Sequence, residues 1–329
     1  MFDLQSLFRG WDNFFFVERP TYNLAFFRII WGTIIFFNIL FEFGNVADFY
    51  GPHSIVSWEL VNNHFSSFHF SLFKVFQNTL PNAYLIYLFT LISLFLVTIG
   101  WFTRIALFGA LLGLVSLHMR NVWILSSADV LIRCVFAILV WSPCFNVLSI
   151  DSYLAKRRGK PLSIVASQWT WRLLQIQLSV VYLWTFWAKI KGDTWFDGSA
   201  VYYATRLDTM KNLTIPWILD NKKMIELSTW ATLIIEFSLG SLVWFKKFRT
   251  PIVIGGILLH LGIELVMAIP FFEWMMIVLL LNYYTPEEYF LLYRKIYRLT
   301  REYVLKLNVD EKIRIRMLRF IGDYKTSSH

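Results

Sequence analysis

Long apolar stretches separated by short polar segments dominate the chain. Eight such stretches are present, at residues 23–43, 82–101, 105–119, 129–149, 171–190, 224–245, 251–269 and 271–284. An α-helix needs about 20 apolar residues to cross the hydrocarbon core of a bilayer. The pattern therefore predicts an all-α fold, a polytopic membrane helical bundle with about eight transmembrane helices, of which the third and the last are short.

The composition supports a lipid environment for this bundle. Hydrophobic residues make up 57% of the 329 residues, whereas charged residues make up only 16%. A soluble domain carries about 25% charged residues, because it must cover its whole surface with polar groups. The sequence therefore excludes an ordinary soluble domain.

The positive charges lie mainly between and after the apolar stretches. If the N-terminus is cytoplasmic and all eight spans cross, about 21 of the 31 Lys and Arg residues fall on cytoplasmic segments and about 7 on outer segments. Cytoplasmic loops carry such an excess in membrane proteins. Both termini are thus predicted to be cytoplasmic, in what we expect to be a bacterial cytoplasmic membrane. The net charge of +9 indicates contact with lipid rather than with nucleic acid.

Two regions are predicted, a transmembrane bundle over residues 1–290 and a basic amphipathic cytoplasmic tail over residues 291–329. Thr285-Pro286-Glu287-Glu288 is a helix-start signal, with a cap residue followed by proline and early acids. A basic amphipathic helix after this signal is typical of a segment that lies on anionic lipid.

Several ionisable residues fall inside the predicted spans, where charge is expensive and function is the default hypothesis. Asp129 and Arg133 are four residues apart, so they lie on one helix face and suit an internal ion pair. That pair is either structural or part of a site. Arg28 either extends to the cytoplasmic interface or pairs with Glu236.

His260 and Glu264 repeat the four-residue spacing on the seventh span. A histidine and a carboxylate at this distance form either a proton relay or a mutually satisfied pair, and the sequence favours neither. Arg28, Glu236 and Glu264 are predicted to be structural intramembrane charges.

The fifth span carries a polar stripe. Gln175, Ser179, Tyr182 and Lys189 recur at steps of four, three and seven, which places them on one helix face. This stripe is typical of a cavity lining rather than of a lipid-facing surface. Lys189, at the outer end, either extends to water or, sheltered among aromatic residues, serves as a general base.

Other polar groups share the outer side of the membrane on this topology, which predicts a site that opens to the outer leaflet. They are His118, Arg120, Asn121, Asp129, Lys189 and Asp193. Cys134 and Cys144 offer neither a disulfide framework nor metal-ligand spacing, so no metal site is predicted. Gly109 and Gly113 form a small-residue motif that indicates close helix packing.

An ordered series of motifs resembles one family. The motifs are Ala25-Phe26-Phe27-Arg28-Ile29-Ile30-Trp31-Gly32, Phe49-Tyr50-Gly51-Pro52, His118-Met119-Arg120-Asn121, Asp129-Val130-Leu131-Ile132-Arg133, Trp141-Ser142-Pro143, Gln175-Ile176-Gln177-Leu178 with Tyr182, Ala188-Lys189-Ile190, and Trp195-Phe196-Asp197-Gly198-Ser199-Ala200. Over about residues 8–290 the chain resembles the horizontally transferred transmembrane (HTTM) domain family. This family includes the membrane part of vitamin K-dependent γ-glutamyl carboxylases and many bacterial relatives.

The resemblance implies a chemistry for these residues. In the carboxylases a lysine deprotonates vitamin K hydroquinone, O2 converts the quinol to the epoxide, and the strong base so formed removes a γ-proton from a protein glutamate, which takes up CO2. Lys189 matches that lysine within one residue, and His260 matches a histidine of the seventh span. Both are predicted to be catalytic. The expected quinol pocket adds His118, Asn121, Asp129, Arg133, Gln175, Tyr182 and Trp195.

The chain also departs from the carboxylase pattern. Ala128-Asp129 stands where animal carboxylases have Asn-His, and Ser127-Ala128 replaces the Gly-Gly of bacterial relatives. The carboxylases also carry a large domain after the bundle, whereas about 40 residues follow the last span here. The resemblance implies a vitamin K-dependent carboxylase-like enzyme that acts on a peptide glutamate, whereas the missing domain argues against recognition of such a peptide. The alternative is a non-carboxylating membrane protein that assists maturation or export of a secreted peptide. A transporter is disfavoured, because no inverted repeat is visible.

Overall fold

A computed structural model describes residues 4–64 and 70–306 of the chain, and these residues are mostly helical. The α-helices are α1 Leu4–Phe15, α2 Tyr22–Phe41, α3 Val46–Tyr50, α4 Trp58–His64, α5 Leu72–Val75, α6 Leu80–Ile99, α7 Thr103–Arg120, α8 Ser127–Leu139, α9 Ile150–Arg157, α10 Trp169–Lys189, α11 Asp193–Phe196, α12 Ala200–Ala204, α13 Pro216–Leu219, α14 Lys222–Gly240, α15 Lys246–Val266, α16 Phe272–Leu281 and α17 Pro286–Lys306. Three 3₁₀ turns lie at Phe43–Asn45, Val122–Ile124 and Leu242–Trp244.

The longer helices form two groups, and within each group helices that follow one another in the chain pack together. The two groups contact each other. In the first group α2 packs on α6, α6 on α7 and α7 on α8. In the second group α10 packs on α14, α14 on α15 and α15 on α16. Contacts of α16 with α2 and of α10 with α8 connect the groups. Completely buried side chains such as Trp31, Leu94 and Phe136 form the core.

Each of the eight predicted spans overlaps one helix of this bundle. Three helices, α2, α6 and α15, are long and apolar enough to cross a membrane by length and composition. The helices α7, α10 and α14 are of similar length but more polar, whereas α16 is a shorter apolar helix. The observed fold is thus a helical membrane bundle.

The fourth span differs from its prediction, because the helix ends at Leu139 rather than near residue 149. Pro143 cannot donate a backbone hydrogen bond and disfavours helical geometry at Ser142, so the chain turns here. Residues 140–149 form turns that lead to α9.

Arg28 satisfies the backbone of this turn region. Its side chain is completely buried and donates to four main-chain carbonyls, namely those of Val97, Thr98 at 2.8 Å, Cys144 at 3.2 Å and Leu148 at 2.6 Å. The guanidinium group has five donors in a planar fork, so it suits several acceptors at once. Arg28 therefore neither extends to the interface nor pairs with Glu236, and the structure corrects both predictions.

A small antiparallel sheet is present that the all-α prediction missed. Strand β1 (Glu18–Pro20) pairs with β2 (Val165–Ser167), with Glu18 opposite Ser167 and Pro20 opposite Val165. The strands have three residues each, too few to show an alternating pattern in the sequence. They join the connection before α2 to the connection before α10.

The chain divides into two compact units, with the boundary between Tyr283 and Tyr284. In the second unit, α17 begins at the predicted signal. The hydroxyl of Thr285 accepts from the Glu288 backbone N–H at 3.2 Å, and the Glu288 carboxylate accepts from the Thr285 N–H at 2.8 Å, which is a capping box. Residues 307–329 of the predicted tail lie outside the described residues.

Close packing of α6 on α7 depends on the predicted small-residue motif. A Cβ atom at Gly113 would lie 2.1 Å from Thr90 Oγ1 and 3.2 Å from Thr90 Cα, and one at Gly109 would lie 2.8 Å from Ser93 Oγ. A larger residue at Gly113 would push on the backbone of Thr90, whereas one at Gly109 would require only side chains such as that of Ser93 to move.

We expect Gly113→Ala to lower the free energy of unfolding by about 1–3 kcal/mol, because the added methyl group overpacks the contact with Thr90. Thermal unfolding in detergent micelles measures this. Gly262→Ala is the matched control, since it also lies inside a helix but a Cβ there meets nothing within 4 Å. Equal unfolding temperatures for both variants would contradict the role of Gly113.

Candidate functional site

The polar stripe of α10 lies in the bundle interior, where each member bonds to another helix or its end. Gln175 donates to the carbonyl of Asn282 at 2.6 Å, and Ser179 Oγ lies 2.8 Å from the hydroxyl of Tyr283. Both side chains are almost completely buried. The stripe is thus filled by groups of neighbouring helices.

Lys189, the last residue of α10, forms an ion pair with Glu236 of α14. Its ammonium group also lies over the ring of Trp195, 4.9 Å from the ring centroid. The side chain of Lys189 is 27% exposed, whereas that of Glu236 is 9% exposed. The lysine is the accessible member of a pair whose carboxylate is buried. The sequence predicted both residues but not that they meet.

Trp195 lies in the short helix α11, and a tight turn at residues 197–199 ends this helix. Gly198 adopts φ +82°, a left-handed conformation that favours glycine, and a Cβ atom there would lie 3.0 Å from the Glu226 side chain. Asp197 Oδ1 accepts from the Ser199 N–H at 2.8 Å. Hydrogen bonding from Ser199 lowers the pKa of the Asp197 carboxyl. This turn explains why the motif at 195–200 needs its glycine.

Three buried residues from three helices form a second cluster. The hydroxyl of Tyr182 lies 2.7 Å from His260 Nε2, and His260 Nδ1 bonds to a carboxylate oxygen of Glu273. Their exposures are 2%, 4% and 1%. A carboxylate on one ring nitrogen fixes the orientation of an imidazole, so that the other nitrogen can exchange a proton with a hydroxyl group.

The predicted His260–Glu264 pair is therefore wrong. Glu264 accepts from Trp274 Nε1 at 3.1 Å, and Glu273 takes its place beside the imidazole. The turn at residues 267–271 brings α16 back along α15, and this contact has no signal in the spacing along α15. Sequence reasoning missed Glu273 because it falls at the start of a short, apolar span.

His118 and Asp129 lie at the junction of α7 and α8. His118 Nε2 is 3.5 Å from Asp129 Oδ1, and Asp129 Oδ2 accepts from the Ser126 N–H at 2.7 Å, which caps α8. Within the described ranges Asp129 lies beside His118 and forms no ion pair with Arg133, which corrects the predicted pair. As the third residue of a capping box, Asp129 bonds back to the start of α8.

Arg120 and Asn121 hold the loop that follows α3. Both are completely buried, and Arg120 lies over the ring of Trp58 at 5.5 Å. The acceptors of Arg120 are Gly51 O at 2.7 Å, Ser54 Oγ at 2.5 Å and Val56 O at 3.0 Å. Asn121 donates to the carbonyl of Phe49 at 3.3 Å. Two motifs of the sequence, residues 49–52 and 118–121, thus contact each other.

The described residues form two separate groups of predicted site residues. The first joins α10, α14, α15 and α16 through Gln175, Tyr182, Lys189, Glu236 and His260, with Trp195 beside it. The second joins α7 and α8 through His118 and Asp129, with Asn121 beside it. Between the two groups, no hydrogen bond or ion pair is present in the part of the chain that the structure describes.

Fold and site together define a helical membrane protein with ionisable groups paired between its helices. A family model for the HTTM domain matches residues 17–287. The chain therefore belongs to the HTTM domain family, which confirms the resemblance. This domain is related to the membrane part of vitamin K-dependent carboxylases. No curated protein and no solved structure matches the chain.

We expect Glu273→Ala to lower the free energy of unfolding by about 1–3 kcal/mol, because it leaves the buried His260 ring without its hydrogen-bond partner. Thermal unfolding of the purified protein measures this. Glu264→Ala is the control, with an expected loss below about 1 kcal/mol, since Glu264 is only partly buried and its partner Trp274 is exposed. In the double variant with His260→Ala the losses should be less than additive. Additive losses would show that the two side chains do not interact.

Proposed function

We propose that the protein is a quinol-dependent membrane enzyme similar to the vitamin K-dependent carboxylases, in which the Lys189–Glu236 pair removes a proton from a quinol hydroxyl. The observation that carries this proposal is the placement of the pair. It lies at the end of a buried polar stripe, and it combines a partly exposed ammonium group with a buried carboxylate and an aromatic ring. Family membership supports the same chemistry.

The residues present fit a quinol. One oxygen of the Glu236 carboxylate, Oε2, is buried and has no hydrogen-bond partner. A quinol hydroxyl is a donor that such an oxygen lacks. The indole of Trp195 offers an apolar face beside the ammonium group, as a flat aromatic ligand requires. Vitamin K hydroquinone or a related quinol is thus the proposed cosubstrate.

The two clusters have different roles in this proposal, one in accepting the proton and the other in positioning the helices. The Lys189–Glu236 ion pair accepts the hydroxyl proton as a unit whose basic atoms are the carboxylate oxygens, and Trp195 covers the ammonium group on one side. Tyr182, His260 and Glu273 form a buried hydrogen-bonded unit beside α14 that holds α10, α15 and α16 in register. When bound, the quinol supplies the reducing equivalents that react with O2. In the full proposal this drives proton removal from a peptide glutamate and uptake of CO2.

The proposal includes a topology. The eight overlapping helices cross the membrane, both termini are cytoplasmic, and Lys189 faces the outer side of a bacterial cytoplasmic membrane. This topology supports a substrate that reaches the pair from lipid or from the outer side. It also places the capped start of α17 at the cytoplasmic surface.

Lys189→Ala should reduce epoxide formation from vitamin K hydroquinone and O2 by at least about 100-fold, because it removes the cation of the proton-accepting pair, which stabilises the negative charge that forms on the quinol oxygen. The measurement is chromatography of the quinone products after incubation with purified protein in micelles. Lys191→Ala is a matched control, since Lys191 lies two residues away and also over an indole ring, that of Trp187, at 4.9 Å. It should leave the rate unchanged.

Equal epoxide formation by wild type and Lys189→Ala, or none by wild type, would refute the proposal. The second outcome would favour the alternative, a membrane protein that assists maturation of a secreted peptide. That alternative has its own readout, because a small secreted peptide should then copurify equally with wild type and Lys189→Ala.

The topology is tested with single cysteines in a Cys134→Ser, Cys144→Ser background. A cysteine at Asn212 should react with an impermeant maleimide in intact cells, and one at Lys160 should react only after permeabilisation. Both positions are exposed in the structure. The reverse labelling pattern would show that the topology is inverted. Equal labelling of both positions in intact cells would show that they lie on the same side of the membrane and would contradict the single crossing by α10.

A further inference from the structure

The carboxylate of Glu236 has an unequal environment at its two oxygens. Oε1 bonds to the Lys189 ammonium group, whereas Oε2 is buried and has no partner. The residue as a whole is only 7% exposed. An ionised oxygen buried without a donor is costly, so a native structure rarely leaves one without a reason.

Side chains near Glu236 do not supply the missing donor. On α14 the hydroxyl of Thr229 donates to Ile225 O at 2.9 Å, and that of Thr232 donates to Ser228 O at 2.8 Å. Tyr182 lies within electrostatic range of Glu236, but its hydroxyl is bonded to His260. The donor for Oε2 must therefore come from outside these side chains.

We infer that Glu236 Oε2 is the atom that binds and deprotonates the substrate hydroxyl, and that Lys189 holds the resulting negative charge as an ammonium ion. This inference rests on the proposed function and specifies which member of the pair is the base. The O–H bond of the substrate breaks and a new O–H bond forms at Oε2. The electron pair of the broken bond stays on the substrate oxygen, so nothing is oxidised or reduced in this step.

Charge and geometry fit this division of roles. A fixed ammonium group next to the reacting oxygen stabilises the negative charge that develops there. Lys189 is the more exposed member of the pair and is backed by Trp195, so its charge faces the approach to the site. The carboxylate, more deeply buried, can receive a proton without leaving its place. The sequence predicted Glu236 to be a structural charge, whereas this inference gives it the role of a substrate-binding residue.

The same site should distinguish a quinol from its quinone. A quinol donates a hydrogen bond to Oε2, whereas the oxidised quinone has only acceptors and would face a carboxylate oxygen without a donor. A hydrogen bond to a charged group is worth roughly a 10-fold to 100-fold difference in affinity.

The test compares the affinities of menadiol and menadione for the full-length protein in micelles under anaerobic conditions, by quenching of tryptophan fluorescence. Wild type should bind menadiol at least about 10-fold more tightly than menadione. Glu236→Gln should lose most of this preference, while its affinity for menadione stays unchanged. Glu264→Gln is the matched control, because Glu264 Oε2 is also buried without a partner but has no lysine beside it. It should keep the preference.

A second measurement needs no variant. Infrared difference spectra of wild type should show the C=O stretch of a protonated carboxyl group on addition of menadiol but not of menadione. Absence of this band with bound menadiol would overturn the inference, as would a Glu236→Gln protein that keeps the preference or epoxidises vitamin K hydroquinone at the wild-type rate. Failure of the proposed function looks different, because wild type then neither prefers the quinol nor forms epoxide.

Discussion

Every polar group that a helical bundle buries within lipid must find its partner inside the protein, because no water is present to replace one. In α10 this constraint determines the architecture. Gln175, Ser179, Tyr182 and Lys189 each require a partner, and the partners lie on or next to α14, α15 and α16. The helix α10 is thus the element around which the second half of the bundle is arranged, and Glu236, which pairs with its last residue, keeps one carboxylate oxygen unpaired.

The two completely buried arginines solve the same problem in another way. Arg28 and Arg120 bond to main-chain carbonyls and a hydroxyl rather than to carboxylates. Both therefore stabilise irregular backbone, one at the turn after α8 and the other in the loop after α3. Irregular backbone at membrane depth is tolerated where protein groups satisfy it. The family motifs that contain these arginines therefore stabilise the conformation of loops as well as the helices in which they lie.

The sequence predicted what depends on one helix and missed what depends on contacts between helices. The approximate positions of the eight longer apolar helices followed from apolar length, apart from the early end of α8, and the stripe of α10 followed from spacing within that helix. The partners Glu236 and Glu273 could not be predicted, because the turn geometry before α14 and α16 decides which side chains meet. Spacing along one helix was misleading for His260 with Glu264 and for Asp129 with Arg133. The sheet was not predicted, because a strand of three residues is too short to show an alternating pattern of apolar and polar residues.

That small sheet has a consequence for how the two helix groups stay together. The strands β1 and β2 hydrogen-bond the start of the first group to the start of the second, and α16 also contacts α2. The covalent connection between the groups passes through the exposed residues 156–161. Since the noncovalent contacts do not involve those residues, the two groups of helices are not held together by that connection alone. The two helix groups therefore associate through noncovalent contacts, as two subunits of a heterodimer do. Two separately synthesised halves of the chain should accordingly assemble into the same bundle.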